Sequence, residues 1–152
     1  MVVVPAVVVA AVVATATGAL DLQRDPAAVA AAHGRLDVLH PGRQAAEPGR
    51  EDRAIGGASL YDHEPAQARA RIGYWLTAEG RGRGIATHAV RLLSDWALTD
   101  LGVARLEITC APGNVASQRV AERCGFVREG LLRSHMRFKG GRRDTLVYGR
   151  VA

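Results

Sequence analysis

Three glycines and two arginines stand together at Gly80-Arg81-Gly82-Arg83-Gly84, directly after an alternating apolar stretch and directly before a run with helical spacing. A strand that turns through glycine into a helix makes an anion site. The first N–H groups of the helix have no intrahelical acceptor, and the helix dipole adds partial positive charge where they point. Glycine keeps side chains out of the way of approaching phosphate oxygens, and Arg81 and Arg83 can pair with those oxygens. The pattern predicts a pyrophosphate-like ligand held by Arg81, Gly82, Arg83, Gly84, Ile85, Ala86 and Thr87. Two other phosphate loops do not fit. A P-loop needs Lys after its last glycine, and no Lys lies in this stretch. A dinucleotide fingerprint needs glycine where Thr87 stands, and no strand tipped by an acid follows as required.

Other residue types able to do chemistry are fewer. In Pro112-Gly113-Asn114 a turn leads into a short helix, with Asn114 the expected N-cap and Ser117 in the first turn. Capping alone can account for both, and for Ser117 capping and catalysis weigh equally and are compatible. Cys110 and Cys124 are the two cysteines, which is neither a disulfide framework nor a metal pattern, and a reducing cytoplasm is the default. Cys124 reads as a small buried residue, because no histidine is placed by sequence to activate it. His135 belongs to the side-chain type best suited to proton transfer at neutral pH and is carried as a catalytic candidate. Alternation turns it away from Met136, and a solvent-facing spectator is the commoner fate of such a residue. Trp75 and Trp96 read as core, and His33 and His40 fall in loop-like sequence.

The elements that must position these groups follow from periodicity. Ala54–Tyr61 reads as a strand ended by the polar turn Asp62-His63-Glu64-Pro65. In Arg69–Leu76 the residues Ala70, Ile72, Tyr74 and Leu76 alternate with Arg71, Gly73 and Trp75. A helix is expected from about Ala86 to Thr99, with Ala86, Val90, Leu93 and Ala97 inward and His88, Arg91, Asp95 and Thr99 in water. Ala104, Leu106, Ile108 and Cys110 alternate in the next strand, and Gly125 is the expected C′ residue of the short helix that follows. Leu132–Phe138 alternates again, Lys139–Arg142 makes a hairpin, and Thr145–Val151 returns. Strands interleaved with helices argue for an α/β (α+β) layer with one sheet.

The motif Arg81-x-x-Gly84-x-Ala86 is similar to the acetyl-CoA loop of the GNAT superfamily of N-acetyltransferases. Ile72-Gly73-Tyr74-Trp75-Leu76 resembles the strand before that loop. Asn114-x-x-Ser117 followed by Cys124-Gly125-Phe126, and Gly141-Arg142-Arg143-Asp144 running into an apolar strand, resemble the ribosomal-protein N-terminal (alanine) acetyltransferase branch. Together these motifs cover about two-thirds of the chain in the family's order. The resemblance implies a GNAT acyl-CoA N-acyltransferase fold, a mixed central sheet flanked by helices, in which the strands Arg69–Leu76 and Arg105–Cys110 splay apart. Acetyl-CoA would lie in the gap, its pantetheine bonded near Leu76 and Thr77 and its arm held by Asn114. An amine, on a protein N-terminus or a small molecule, would attack directly in a ternary complex, and Ser117 would assist the departing thiolate. A monomer or homodimer, needing no metal, is implied.

Departures from the family pattern sharpen the expectation. Arg71 stands where relatives often have Glu, and Met136 stands where the ribosomal branch can place a base. Deprotonation of the amine through water is therefore expected, with Glu107 able to reach only through water. Residues 54–152 are expected to form the cofactor-binding core, and residues 1–53 a divergent or incomplete N-terminal part of the same domain. Val2–Ala16 is almost wholly apolar, but no Lys or Arg precedes it, Pro5 interrupts it, and it is shorter than the ~20 residues that span a bilayer. Val7–Val13 reads better as a buried strand than as part of an atypical signal or membrane anchor. A helix Ala27–Ala32 capped by Asp25, and loops at Pro41-Gly42 and Pro48-Gly49, complete that part.

At 152 residues the chain has the size of one domain able to bury a single core, and its 48% hydrophobic residues sit near the average for a soluble globular protein. Its formal charge of +5 favours an anionic partner. Three readings stand in order: an acetyl-CoA-dependent N-acetyltransferase, a degenerate CoA-binding module without turnover, and an RNA-binding protein using the Arg-Gly run. The last is disfavoured because ordered elements flank that run and no aromatic residue interleaves it.

Overall fold

Alternation and helical spacing are realised as one seven-stranded sheet carrying two helices on one face. The computed structural model describes residues 10–15, 20–23 and 54–152. Strands are β1 (Ala10–Thr15), β2 (Leu20–Gln23), β3 (Ala54–Glu64), β4 (Arg69–Leu76), β5 (Arg105–Cys110), β6 (Val127–Phe138) and β7 (Gly141–Val151). The helices are α1 (Ile85–Thr99) and α2 (Val115–Arg123), with short 3-10 turns at Pro65–Gln67 and Ala78–Gly80. The sheet order is β2-β1-β3-β4-β5-β7-β6. Every pairing is antiparallel except β4 with β5. A parallel pair needs a crossover, and α1 supplies it.

The core lies between this sheet and the helices. Ala58, Leu60, Ala70, Ile72, Leu106, Ile108, Leu146 and Tyr148 present the buried face of β3, β4, β5 and β7. Val90, Leu93 and Ala97 of α1 meet them fully buried, each large aliphatic contributing about 1.5–3 kcal/mol of transfer free energy. The inward stripe of α1 is the expected one, widened by Ala89 and Ser94. His88, Arg91, Asp95 and Thr99 are exposed as expected. Ser94 is tolerated in the core because its hydroxyl donates to the Val90 carbonyl at 2.6 Å.

Several boundaries differ from the sequence reading. Helix α1 starts at Ile85 rather than Ala86, because Gly84 takes the left-handed conformation and serves as N-cap. Ala104 precedes β5 and is exposed rather than inward. The residues Asp62-His63-Glu64 do not end β3. They continue it through a bulge at which Asp62 has φ 49°. The last hairpin is longer than expected, and its turn is the pair Lys139-Gly140, both at positive φ, the geometry that matches strand twist.

In the N-terminal part, the strand expected at Val7–Val13 is observed as β1, with residues 7–9 outside the described set. The expected helix Ala27–Ala32 with its Asp25 cap, the loops at Pro41-Gly42 and Pro48-Gly49, and His33 and His40 also lie outside the described residues. Among the described residues no helix is long and apolar enough to cross a membrane.

Candidate active site

The site forms where two parallel strands part company. β4 and β5 pair only at Arg69–Arg105, Ala70–Leu106 and Arg71–Glu107. β4 then runs on to Leu76 and β5 to Cys110 without pairing further. A V-shaped gap therefore opens toward the C-terminal ends of both strands. On its far side β4 stays registered with β3 as far as Gly56–Leu76, and Thr77 N–H donates to the Ile55 carbonyl at 2.9 Å. Backbone groups alternate direction along an antiparallel strand, so those of Tyr74 and Leu76 point away from β3 and into the gap.

Thr77 differs from this pair. Its N–H and its hydroxyl, the latter at 3.1 Å, both go to the Ile55 carbonyl. That leaves Leu76, not Thr77, with backbone groups aimed into the gap.

β4 leads through the turn Ala78–Gly80 into the glycine-rich loop. Gly80 is required by packing: a Cβ there would lie 2.6 Å from the Ile55 carbonyl oxygen. Gly84 is required by conformation, with φ 74°, and a Cβ there would meet nothing within 4 Å. No side chain caps α1, and the intrahelical bonds begin with His88 N–H to the Gly84 carbonyl at 3.0 Å. The N–H groups of the first turn thus face open space beside exposed Arg81 and Arg83. Neither arginine forms an ion pair among the described residues. Open backbone N–H groups beside two guanidiniums have the chemistry to hold a diphosphate, the ligand that the loop's sequence suggests.

The opposite wall is the start of α2. Asn114 Oδ1 accepts from Ser117 N–H at 3.1 Å, so Asn114 is the cap and the Ser117 hydroxyl is not the capping group. The separation bears on function, because the serine side chain is then available for another role. Tyr74 spans the gap: its hydroxyl donates to the Ser117 carbonyl at 3.1 Å. Burial pushes the Tyr74 phenol up to about 12. Sequence reading placed Tyr74 only as an inward strand residue. Its hydroxyl was the available signal, since a buried phenol needs a partner.

The far end of α2 is tied to the loop's own helix. Cys124 Sγ donates to the Thr87 carbonyl at 3.3 Å, and Arg91 Nη2 donates to the Arg123 carbonyl at 2.8 Å. Cys124 is buried, and burial raises its thiol pKa, as it does for Cys110. The reading of Cys124 as a packed residue rather than a nucleophile fits this placement. Both cysteines are free.

At the crotch of the V, Arg71 and Glu107 form the last registered pair, on the sheet face opposite the helices. Arg71 Nε lies 3.5 Å from Glu107 Oε2 and its Nη1 lies 3.3 Å from Asp62 Oδ2. Arg105 grips Glu107 at 3.0 Å and continues to Glu129. That hydrogen bond lowers the Glu129 pKa and raises that of Arg105. Sequence alternation places Arg71 and Glu107 outward, but parallel register, which alternation does not contain, is what joins them.

His135 stands apart from this constellation. It is exposed on β6, in a stretch where the register with β7 shifts between Leu132 and Met136 and Ser134 has φ 52°. The shift cancels the simple alternation by which His135 and Met136 were assigned to opposite faces.

Comparison with known proteins bears on this geometry. Residues 15–127 match the family model described as "Acetyltransferase (GNAT) domain". The chain is similar to the Bacillus subtilis (strain 168) protein named Probable N-acetyltransferase YjcK, 41% identical over 98 residues, which is 64% of this chain and 54% of that protein. It is similar to the ribosomal-protein-serine acetyltransferase of Escherichia coli (strain K12), 33% identical over 102 residues, 67% of this chain and 57% of the relative. Among solved structures it resembles Mycobacterium smegmatis RimJ in complex with CoA-disulfide, with TM-score 0.63 and 31% identity, covering 68% of this chain and 50% of that one. The matched region is thus about half the length of each of these relatives.

Proposed function

The chain belongs to the acetyltransferase (GNAT) family, and from that premise we propose that it transfers the acetyl group of acetyl-CoA to a primary amine, the free amino terminus of a protein being the favoured acceptor. The observation that carries this reading is the parting of β4 and β5 beyond Arg71–Glu107, directly beside a glycine-rich helix start. A gap with one hydrogen-bonding edge and a cationic cradle at its mouth suits a ligand that is amide-bearing along its length and doubly phosphorylated at its end. The favoured acceptor class comes from a relative's name, that of a ribosomal-protein-serine acetyltransferase. Two free thiols fit a reducing cytoplasm.

The division of labour in this reading combines the geometry with the roles that the family resemblance implies. Arg81, Gly82, Arg83, Gly84, Ile85, Ala86 and Thr87 hold the diphosphate by backbone N–H groups and two guanidiniums. Leu76 offers its outward backbone groups to the pantetheine amides, with Thr77 fixing the strand end through Ile55. Asn114 keeps its side-chain NH₂ for the cofactor arm while its oxygen caps α2. Acetyl-CoA supplies the thioester on which a neutral amine acts. The C–N bond would form as the C–S bond breaks; the Ser117 hydroxyl would pass its proton to the leaving thiolate and be reprotonated through the water that takes the proton from nitrogen.

The test is acetyl transfer itself. Incubation with acetyl-CoA and a panel of peptides with free amino termini should release one thiol per peptide, each peptide gaining one acetyl mass. Tight CoA binding without transfer to any amine would overturn the catalytic reading in favour of a binding module.

A further inference from the structure

One surface is not used by this reading of the fold. Between Gly130 and Arg143 the chain carries five cations, Arg133, Arg137, Lys139, Arg142 and Arg143, and no carboxylate. All five are exposed, and none forms an ion pair among the described residues. The register sets Arg137 directly opposite Arg142, a like-charge pair that destabilises a hairpin. The arrangement is held nonetheless. Arg142 Nε donates to the Ser134 carbonyl at 2.7 Å, and Asp144 Oδ1 accepts from Ser134 N–H at 2.8 Å. A hairpin that sets two arginines opposite each other in register, with no carboxylate partner for either among the described residues, is suited to receiving an anion.

The placement says what kind of anion. β7 pairs with β5 as far as Cys110–Leu146, so residues 141–145 and the facing part of β6 run past the end of β5. That is the end where β4 enters the glycine-rich loop and β5 enters Asn114. The surface is also apolar in part, with Leu131, Leu132 and Met136 about half exposed. Its aromatic ring, Phe138, is covered by the Arg143 guanidinium at 3.3 Å, which removes the stacking platform that single-stranded RNA would use. We propose that the β6–β7 hairpin docks an acidic polypeptide, the segment that follows the acceptor amine, so that the acceptor is a protein with carboxylates near its free amino terminus. This rests on the acetyltransferase reading above and narrows its acceptor class.

Two measurements on the full chain test it. In the first, a fluorescent peptide with a free amino terminus followed by several Asp and Glu is titrated without acetyl-CoA, beside a peptide of equal length with Asn and Gln. The acidic peptide should bind at least ~10-fold more tightly at low salt, and the difference should shrink as salt screens it. The variant Arg137→Glu, which leaves Arg142 on the Ser134 carbonyl and Arg143 over Phe138, should abolish the difference. Because this arm needs no turnover, it stands even if acetyl transfer fails. In the second, kcat/KM for the acidic peptide should fall ~10-fold in that variant while KM for acetyl-CoA is unchanged. Equal binding of the two peptides by the intact chain would overturn the proposal. So would a parallel rise in KM for acetyl-CoA, which would assign the cations to the cofactor. Tighter binding of an RNA oligonucleotide than of a peptide of equal charge would overturn it in favour of nucleic acid.

Discussion

The glycine-rich loop before α1 and the β6–β7 hairpin are both exposed and arginine-rich, yet they are built by opposite means. In the loop, Gly84 at φ 74° and an uncapped helix start aim backbone N–H groups outward, and Arg81 and Arg83 supplement them. In the hairpin the backbone groups are largely consumed by strand pairing, and the cations are carried by side chains whose facing is set by two register shifts. A backbone site depends on residues that are local in sequence. A side-chain site depends on register, which is not local. The first is tightly constrained in the residues it accepts, whereas the second can change partner by changing a few charges.

The largest expected effect is on the wall shared by both regions. Ser117→Ala should lower kcat about 100-fold with little change in CoA affinity, the behaviour of a lost proton donor. Because Asn114, not the serine hydroxyl, caps α2, the melting temperature of this variant should stay within a few degrees of the parent. Asn114→Ala should instead cost about 1 kcal/mol of stability. Steady-state kinetics beside thermal melts separate the two, and an unchanged kcat in Ser117→Ala would remove its catalytic role.

Next comes the loop. Gly84→Val places a branched side chain at a left-handed position, at a conformational cost of order 1–3 kcal/mol, and sets its methyl groups in the open space where phosphate would approach. CoA affinity should fall at least ~10-fold, about 1.4 kcal/mol or more, by calorimetric titration of the folded variant. Preserved affinity would mean that the backbone N–H groups are not the phosphate ligands, and the contrast between loop and hairpin would collapse.

How much was legible in the sequence follows the same division. The loop, the stripe of α1 and the Asn114 cap were readable because each depends on neighbours within a turn or two. The splay was legible only through family resemblance, since nothing local in Arg69–Leu76 or Arg105–Cys110 says that their pairing stops after three residues. Tyr74 and Ser117, 43 positions apart, and Arg71 and Glu107 meet through tertiary packing that periodicity does not encode. In β6, Ser134 at φ 52° is a left-handed residue without glycine, and no composition signal marks it. Alternation therefore ran straight through a position where the strand does not.

A smaller effect is expected at Tyr74, which joins β4 to α2. Tyr74→Phe removes one hydrogen bond, worth about 1 kcal/mol net, and should lower kcat/KM about threefold by loosening the wall that carries Ser117. Its pKa, raised to about 12 by burial, also predicts a pH dependence. The folded state favours the protonated phenol, so this stabilisation is intact below the ordinary tyrosine value of about 10 and declines as pH rises toward about 12. In Tyr74→Phe the alkaline fall in melting temperature should be shallower. A slope equal to the parent's would assign the alkaline loss to Tyr61 and Tyr148, whose phenols are also raised by burial.

The smallest effect is expected from His135, and it tests whether the hairpin takes part in chemistry as well as docking. An ammonium acceptor must lose a proton before it attacks. A general base must hold a fixed place within reach of that nitrogen, usually with a partner to orient it. His135 is exposed, and its neighbourhood supplies an arginine on its own carbonyl, at 3.4 Å from Arg142 Nη2, rather than a carboxylate on its ring. At the crotch, Glu107 is gripped by Arg71 and Arg105, which ties its oxygens to guanidiniums instead of leaving them to a substrate. Water is the acceptor that needs neither placement. The rate should therefore climb with pH toward the amine's own pKa, and His135→Ala should cost less than about threefold, against the ~100-fold or more of a lost base. A pH–rate curve with a break in the histidine range that disappears in His135→Ala would make the hairpin catalytic.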